Sequence, residues 1–272
     1  MKKTLNIAIL TVIITALLSP IVIASEAKQS PEAKTPKATK VVKAPDDYAL
    51  YLKSGDRSPK WNEFIEPAFQ SFDSGNFATA YVFLRRAYDQ GCRDGLVLFR
   101  LGIYKETQHK YKEAADILAQ AAEKMEKQYP KHPVTKSIHE HAGRVLYQAD
   151  DYERALPELD KALINSPDNF MLLFMTGQIL RLKKQYPEAQ QAFEKALVAE
   201  PPAALAQNAR QKVLTELMAL AYEVKDLPAC QSYIDQVLAL SPNNPTAMSY
   251  KARIEHELNK QKERELMQKI VK

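Results

Sequence analysis

Three histidines fall within ten residues, His132, His139 and His141, with Glu140 between the last two, and this is the cluster that could hold a metal ion. A zinc-protease helix sets its histidines four apart so that both rings reach one cation. Two apart on a helix, His139 and His141 diverge by about 200°. Structural histidines are therefore expected, and a metal-dependent enzyme using His132 is the remote alternative. The seven glycines, at 55, 75, 91, 95, 102, 143 and 177, build neither Gly-x-Gly-x-x-Gly nor a P-loop, which excludes nucleotide binding by those routes. No serine sits in a Gly-x-Ser-x-Gly elbow, and neither cysteine has a histidine partner. The adjacent carboxylates Asp46-Asp47 and Asp150-Asp151 could serve acid–base chemistry, but the second pair falls in a turn, where capping is the ordinary use. The expectation is no catalytic residue, no metal and no cofactor.

The elements that would carry these residues follow from a recurring phrase. Gly143, Tyr152, Ala155, Leu159, Ala162 and Pro167 return as Gly177, Tyr186, Ala189, Phe193, Ala196 and Pro201, each 34 residues on. A fixed period of that length marks a repeat array whose units bury their apolar faces against neighbours. With Tyr152 and Tyr186 as anchors, equivalents stand at Phe77, Tyr111 and Leu227, giving five units. Nine residues before each anchor stand Ala68, Gly102, Gly143, Gly177 and Met218; three after stand Ala80, Ala114, Ala155, Ala189 and Cys230. Small residues there let two helices approach closely, and Met218 weakens the pattern in the fifth unit. Offsets of three, seven and ten past the anchor lie on one helix face. Pro167, Pro201 and Pro242 then stop the second helix. Pro157 is the one proline inside a helix, where a modest kink is expected.

Length and order of small, aromatic and proline positions resemble the tetratricopeptide repeat (TPR) family over residues 61–244. The resemblance implies an all-α fold, a TPR-type right-handed solenoid of helix-turn-helix units at 61–94, 95–135, 136–169, 170–210 and 211–244. Two of these carry seven extra residues, placed near 129–135 and 204–210. Residues 46–60 form a pre-repeat segment and 245–272 a capping helix, with Met248, Ala252 and Ile254 expected inward.

In the family, the first helices of successive units line a groove that receives a peptide or protein segment. Carried over by spacing, the partner-binding residues are Ile65, Phe69, Phe72, Phe99, Ile103, Arg144, Tyr147, Met171, Phe174, Gln178, Arg181 and Tyr222, with Asp73, Glu106, Glu140, Thr215 and Ala219 beside them. Aromatic side chains bury much area at little entropy cost, and Arg144 and Arg181 are expected to fix a ligand carbonyl or carboxylate. The competing reading packs these aromatics between helices or against Tyr48–Leu52. The lysine-asparagine-arginine clamp of chaperone-binding members is not carried over, since Ile65, Phe69 and Ser137 stand at the equivalent places.

The basic Met1-Lys2-Lys3 and the apolar run Leu5–Ala24 read as an export signal cleaved before Ser25, the alternative being an uncleaved membrane anchor facing the periplasm. Residues 25–45, rich in Lys, Ala, Pro and Thr, read as a flexible tether. The net charge of +5 comes from the ends, and 45–250 carries a net −3, which speaks against a nucleic-acid groove. Membrane contact is expected only through the N-terminal segment, if it is not cleaved. Cys92 and Cys230 lie too many units apart for a disulfide, whose reach is about 7 Å between alpha carbons. Cys230 is expected buried, and Cys92 is the one that could pair between chains. The reading is a non-enzymatic periplasmic scaffold that binds a protein or peptide partner of unknown identity and serves a cell-envelope complex; the alternative is a self-associating, homo-oligomeric envelope component.

Overall fold

The computed structural model describes residues 46–270; the expected signal and tether fall outside them. After α1 (Asp47–Ser54) come α2 (Asn62–Asp73) and α3 (Phe77–Asp89), α4 (Gly95–Thr107) and α5 (Tyr111–Gln128), and α6 (Pro133–Gln148) and α7 (Tyr152–Asn165). Then follow α8 (Phe170–Leu182) and α9 (Tyr186–Val198), α10 (Ala206–Glu223) and α11 (Leu227–Leu240), and finally α12 (Pro245–Ile270). All regular structure among the described residues is helical, and each anchor residue opens a second helix. No helix among them is long and apolar enough to cross a membrane.

The turn inside each pair is the same. The residue two before each anchor is left-handed: Gly75 at φ 76°, His109 at 57°, Asp150 at 61°, Lys184 at 62° and Lys225 at 62°. Only the first unit uses glycine, the residue that enters this region without steric cost. The next residue caps the second helix in three units: Asn76 accepts from the Thr79 amide, Asp151 from Arg154 and Asp226 from Ala229. Thus Asp151 is a cap, and Asp150 is a turn residue whose carboxylate accepts from the Tyr152 hydroxyl at 2.9 Å.

Close helix approach follows from the small residues. A Cβ on Gly143 would stand 2.9 Å from Leu159 Cδ2, and one on Gly177 would stand 2.6 Å from Phe193 Cε1. Leu84, Leu118, Leu159, Phe193 and Ile234, one per unit, are fully buried. Met218 is buried too, beside Cys230 and Ile234, and the Cys230 thiol donates to its carbonyl at 3.3 Å. The longer units lengthen helices: α5 and α10 each have 18 residues.

Three expectations need correction. Pro157 is not the only internal proline, since Pro67 lies inside α2. Cys92 is fully buried like Cys230, and burial pushes its thiol up to about 12, so it is no exposed partner for another chain. In α12 the inward residues are Ala247, Tyr250 and Ile254, whereas Met248 (54 % exposed) and Ala252 face solvent. The register that turns Met248 and Ala252 inward presupposes a second helix of the same unit; the face that meets α11 lies to the side. The pre-repeat segment carries α1, which packs on the first unit and reaches Arg100 and His132 of the second.

Candidate functional site

The first helices α2, α4, α6, α8 and α10 carry the expected groove, and α8 touches both α6 and α10. At its N-terminal end the surface is closed. Ile65 and Phe69 are 0 % and 1 % exposed, and Phe69 lies under Tyr48 and Tyr51 of α1 at centroid distances of 6.2 and 6.3 Å. These two residues therefore cannot contact a ligand while α1 stays in place. Asp47 fixes α1 there, pairing with the Arg100 guanidinium of α4 and, at 3.0 Å, with His132 Nε2. Those partners hold its carboxyl below the usual range against the opposing effect of burial, which is the largest single influence. Arg100 also sits 4.5 Å above the Phe72 ring. Pre-repeat packing, the competing reading of the aromatics, thus holds for Phe69.

Behind this end lies a buried joint. Asp94 caps α4 by accepting from the Leu96 amide at 3.0 Å, and its other oxygen accepts from the Tyr129 hydroxyl at 2.6 Å and the Asp56 amide at 3.2 Å. Burial raises its carboxyl even so. The Tyr51 hydroxyl lies 2.9 Å from both the Asp56 carbonyl and Asn62 Oδ1. A shallow pocket of about 280 Å³ opens where α1 meets the 128–133 turn.

From Phe72, near the end of α2, onward the surface is accessible. Phe72, Phe99, Ile103, Tyr147, Met171, Phe174 and Tyr222 are half-buried, each with its base in the core. Phe99 meets His141 edge-on at 5.6 Å, Phe174 stacks on Phe170 at 5.9 Å, and Tyr222 meets Tyr250 of α12 edge-on at 5.2 Å. Of the flanking residues, Asp73 is exposed, Glu140 and Thr215 are half-buried, and Glu106 and Ala219 are buried.

Between the rings runs a polar ladder. Arg144 Nη2 lies 2.8 Å from Glu106 Oε1 and 3.2 Å from His141 Nδ1. The Tyr147 hydroxyl donates to Gln178 at 2.6 Å, Gln178 donates to Glu216 at 2.7 Å, and Arg181 bridges Glu216 at 3.2 Å and Glu223 at 2.7 Å. Burial raises the Glu106 carboxyl, and Arg144 opposes it. This corrects the roles expected of Arg144 and Arg181: both guanidiniums already hold carboxylates of neighbouring first helices, so neither is free to grip a ligand. The signal that could have found this is the acidic residues at matching depth on adjacent first helices, Glu106, Glu216 and Glu223.

The three histidines do not converge. His132 caps α6 through Nδ1 and meets Asp47 through Nε2. His139, 4 % exposed, sits between Glu158 of α7 (Nδ1, 2.5 Å) and Glu126 of α5 (Nε2, 2.9 Å). Only a doubly protonated ring donates to both, and the carboxylates, Glu158 first, raise its pKa. His141 is held neutral, lowered to about 4 by burial and by Arg144. The His139 ring keeps its two carboxylates on opposite edges. Among the described residues no group of three or more His, Cys, Asp or Glu is placed to hold a metal ion.

Comparison with known proteins matches the tetratricopeptide repeat model over residues 141–204, most of the third unit and most of the fourth. No curated protein matches the chain. Among solved structures, YrrB, described as a TPR protein with an unusual peptide-binding site, is similar at 16 % identity and TM-score 0.54, covering 76 % of this chain and 97 % of its own. MamA from strain AMB-1 is similar at 18 % identity and TM-score 0.51, covering 73 % of this chain and 95 % of its own.

Proposed function

We propose that this chain, a tetratricopeptide-repeat protein, is a non-enzymatic scaffold that receives a segment of another protein along the first-helix face from the second unit to the fifth. The observation that carries this reading is the row of half-buried apolar side chains beside a ladder whose two guanidiniums are already engaged by three carboxylates, one acid in excess. Such a surface favours an uncharged, apolar-aromatic segment over an acidic tail, because ring burial drives association while no free cation waits for a carboxylate. The peptide-binding site named for YrrB is in keeping with this use of the fold. Placement in the cell envelope, as part of a complex assembled or held there, belongs to the same proposal and draws its support from the basic start and the apolar run Leu5–Ala24.

Truncating the lining aromatics would damage the core they share, so the test uses photo-crosslinking residues placed singly in cells. Positions 103, 171 and 222 probe the face, and the exposed positions 82 and 198 probe elsewhere. Adducts to one protein from the first three alone are expected. Adducts only from 82 or 198, or none at all, would overturn the assignment; cell fractionation then tests the envelope placement separately.

A further inference from the structure

Each unit's first helix carries a residue at one register position, Ala68, Gly102, Gly143, Gly177 or Met218, on the face that packs against its own second helix. Ala252 stands 34 residues after Met218, at that position in α12. No second helix follows among the described residues, and the face is open: Met248, Ala252, Glu255, Asn259, Lys262 and Leu266 are all exposed. Their spacings of 4, 3, 4, 3 and 4 form one heptad stripe along a helix of 26 residues, nearly twice the 14 of α11. The stripe is apolar at both ends and charged in the middle.

We propose that this stripe is a docking surface for the same stripe of a second copy of the chain, with the two α12 helices antiparallel. With the pair centred at residue 257, Met248 lies over Leu266 of the other copy, and Ala252 receives the aliphatic stem of Lys262. Glu255 faces Asn259, one turn from Lys262 of the other copy, so acid meets base in both halves. A parallel pair would set Glu255 on Glu255 and Lys262 on Lys262, and the stripe disfavours it by like-charge repulsion. The partner helix would take the place that a second helix takes in the five complete units. This inference is independent of the ligand assigned to the first-helix face.

The test is disulfide trapping in cells that make the full chain. Both native cysteines are buried, so the background is silent. The double variant Met248→Cys/Leu266→Cys should give an oxidant-dependent dimer band on a non-reducing gel. Neither single variant should, because in the antiparallel pair the two copies of residue 248 are about 27 Å apart along the axis. Adding Lys262→Glu should cut the dimer several-fold, and adding Glu255→Lys to that variant should restore it. A monomer from the double variant, or equal crosslinking by the singles, would overturn the proposal. All these positions are exposed, and unchanged circular dichroism of each variant confirms that the fold is intact.

Discussion

Replacing Asp94 by alanine removes three things at once. The α4 cap is worth about 1 kcal/mol. The Tyr129 hydroxyl, now 2.6 Å from a carboxylate, is left buried without an acceptor, at about 1–3 kcal/mol. The Asp56 amide loses its partner as well. The expected loss is about 3 kcal/mol, which at about 1–3 kcal/mol per molar urea lowers the midpoint by roughly 1–3 M. Asp94→Asn should lose much less, about 1 kcal/mol: asparagine caps as well as aspartate, and the neutral amide escapes the burial that raises the native carboxyl. The single tryptophan reads the same place, since Trp61 Nε1 donates to the Asp56 carbonyl at 3.0 Å. Urea unfolding is followed by Trp61 fluorescence and by far-ultraviolet circular dichroism. In the alanine variant the fluorescence transition should move ahead of the helical one. Equal losses below about 0.5 kcal/mol for both variants would refute the joint.

Two histidines should shape the pH profile in opposite senses. His139 has a raised folded pKa, so its contribution is fully present below the unfolded value of about 6.5 and is lost as pH rises through the folded one. His141, lowered to about 4, contributes above about 6.5 and loses about 3 kcal/mol as pH falls toward 4. In melting temperatures from pH 4 to 9, His139→Gln should flatten the alkaline limb and His141→Gln the acid limb; the same limb changing in both would refute the assignment. Gly143→Ala should lower stability by about 1 kcal/mol despite better helix propensity, because the new Cβ meets the Leu159 amide nitrogen at 3.1 Å and α7 itself must shift. A rise in melting temperature would show that the helices approach less closely.

The five helix pairs were legible because each small residue is repeated wherever two helices touch, and a periodic constraint leaves a periodic trace. What occurs once leaves none. Asp47 reaches His132 across 85 residues, and Asp94 reaches Tyr129 across 35, with no second copy in the chain to betray either contact. For that reason Ile65 and Phe69 read as open surface. Spacing put the side chains from Phe99 to Tyr222 on the first-helix face, where they are half-buried, but it did not give the charge state of that face, because an arginine's partner lies on the next helix rather than on its own. Cys92 misled through its neighbours: Gly91 and Arg93 suggest an exposed turn, while the thiol itself points into the core.

The ladder on the first-helix face joins different units at every rung: Glu106 of α4 to Arg144 of α6, Tyr147 of α6 to Gln178 of α8, and Gln178 and Arg181 of α8 to glutamates of α10. The rungs therefore fix the distance between neighbouring units, and with it the pitch of the coil. Opening the coil strains these rungs together with the apolar packing between units, so they add to its stiffness. The Arg181–Glu223 rung is the more exposed and yields to screening by salt, whereas the Glu106–Arg144 rung is shielded from it. Rising ionic strength thus weakens the Arg181–Glu223 rung ahead of the Glu106–Arg144 rung, while the Gln178–Glu216 bond still ties α8 to α10.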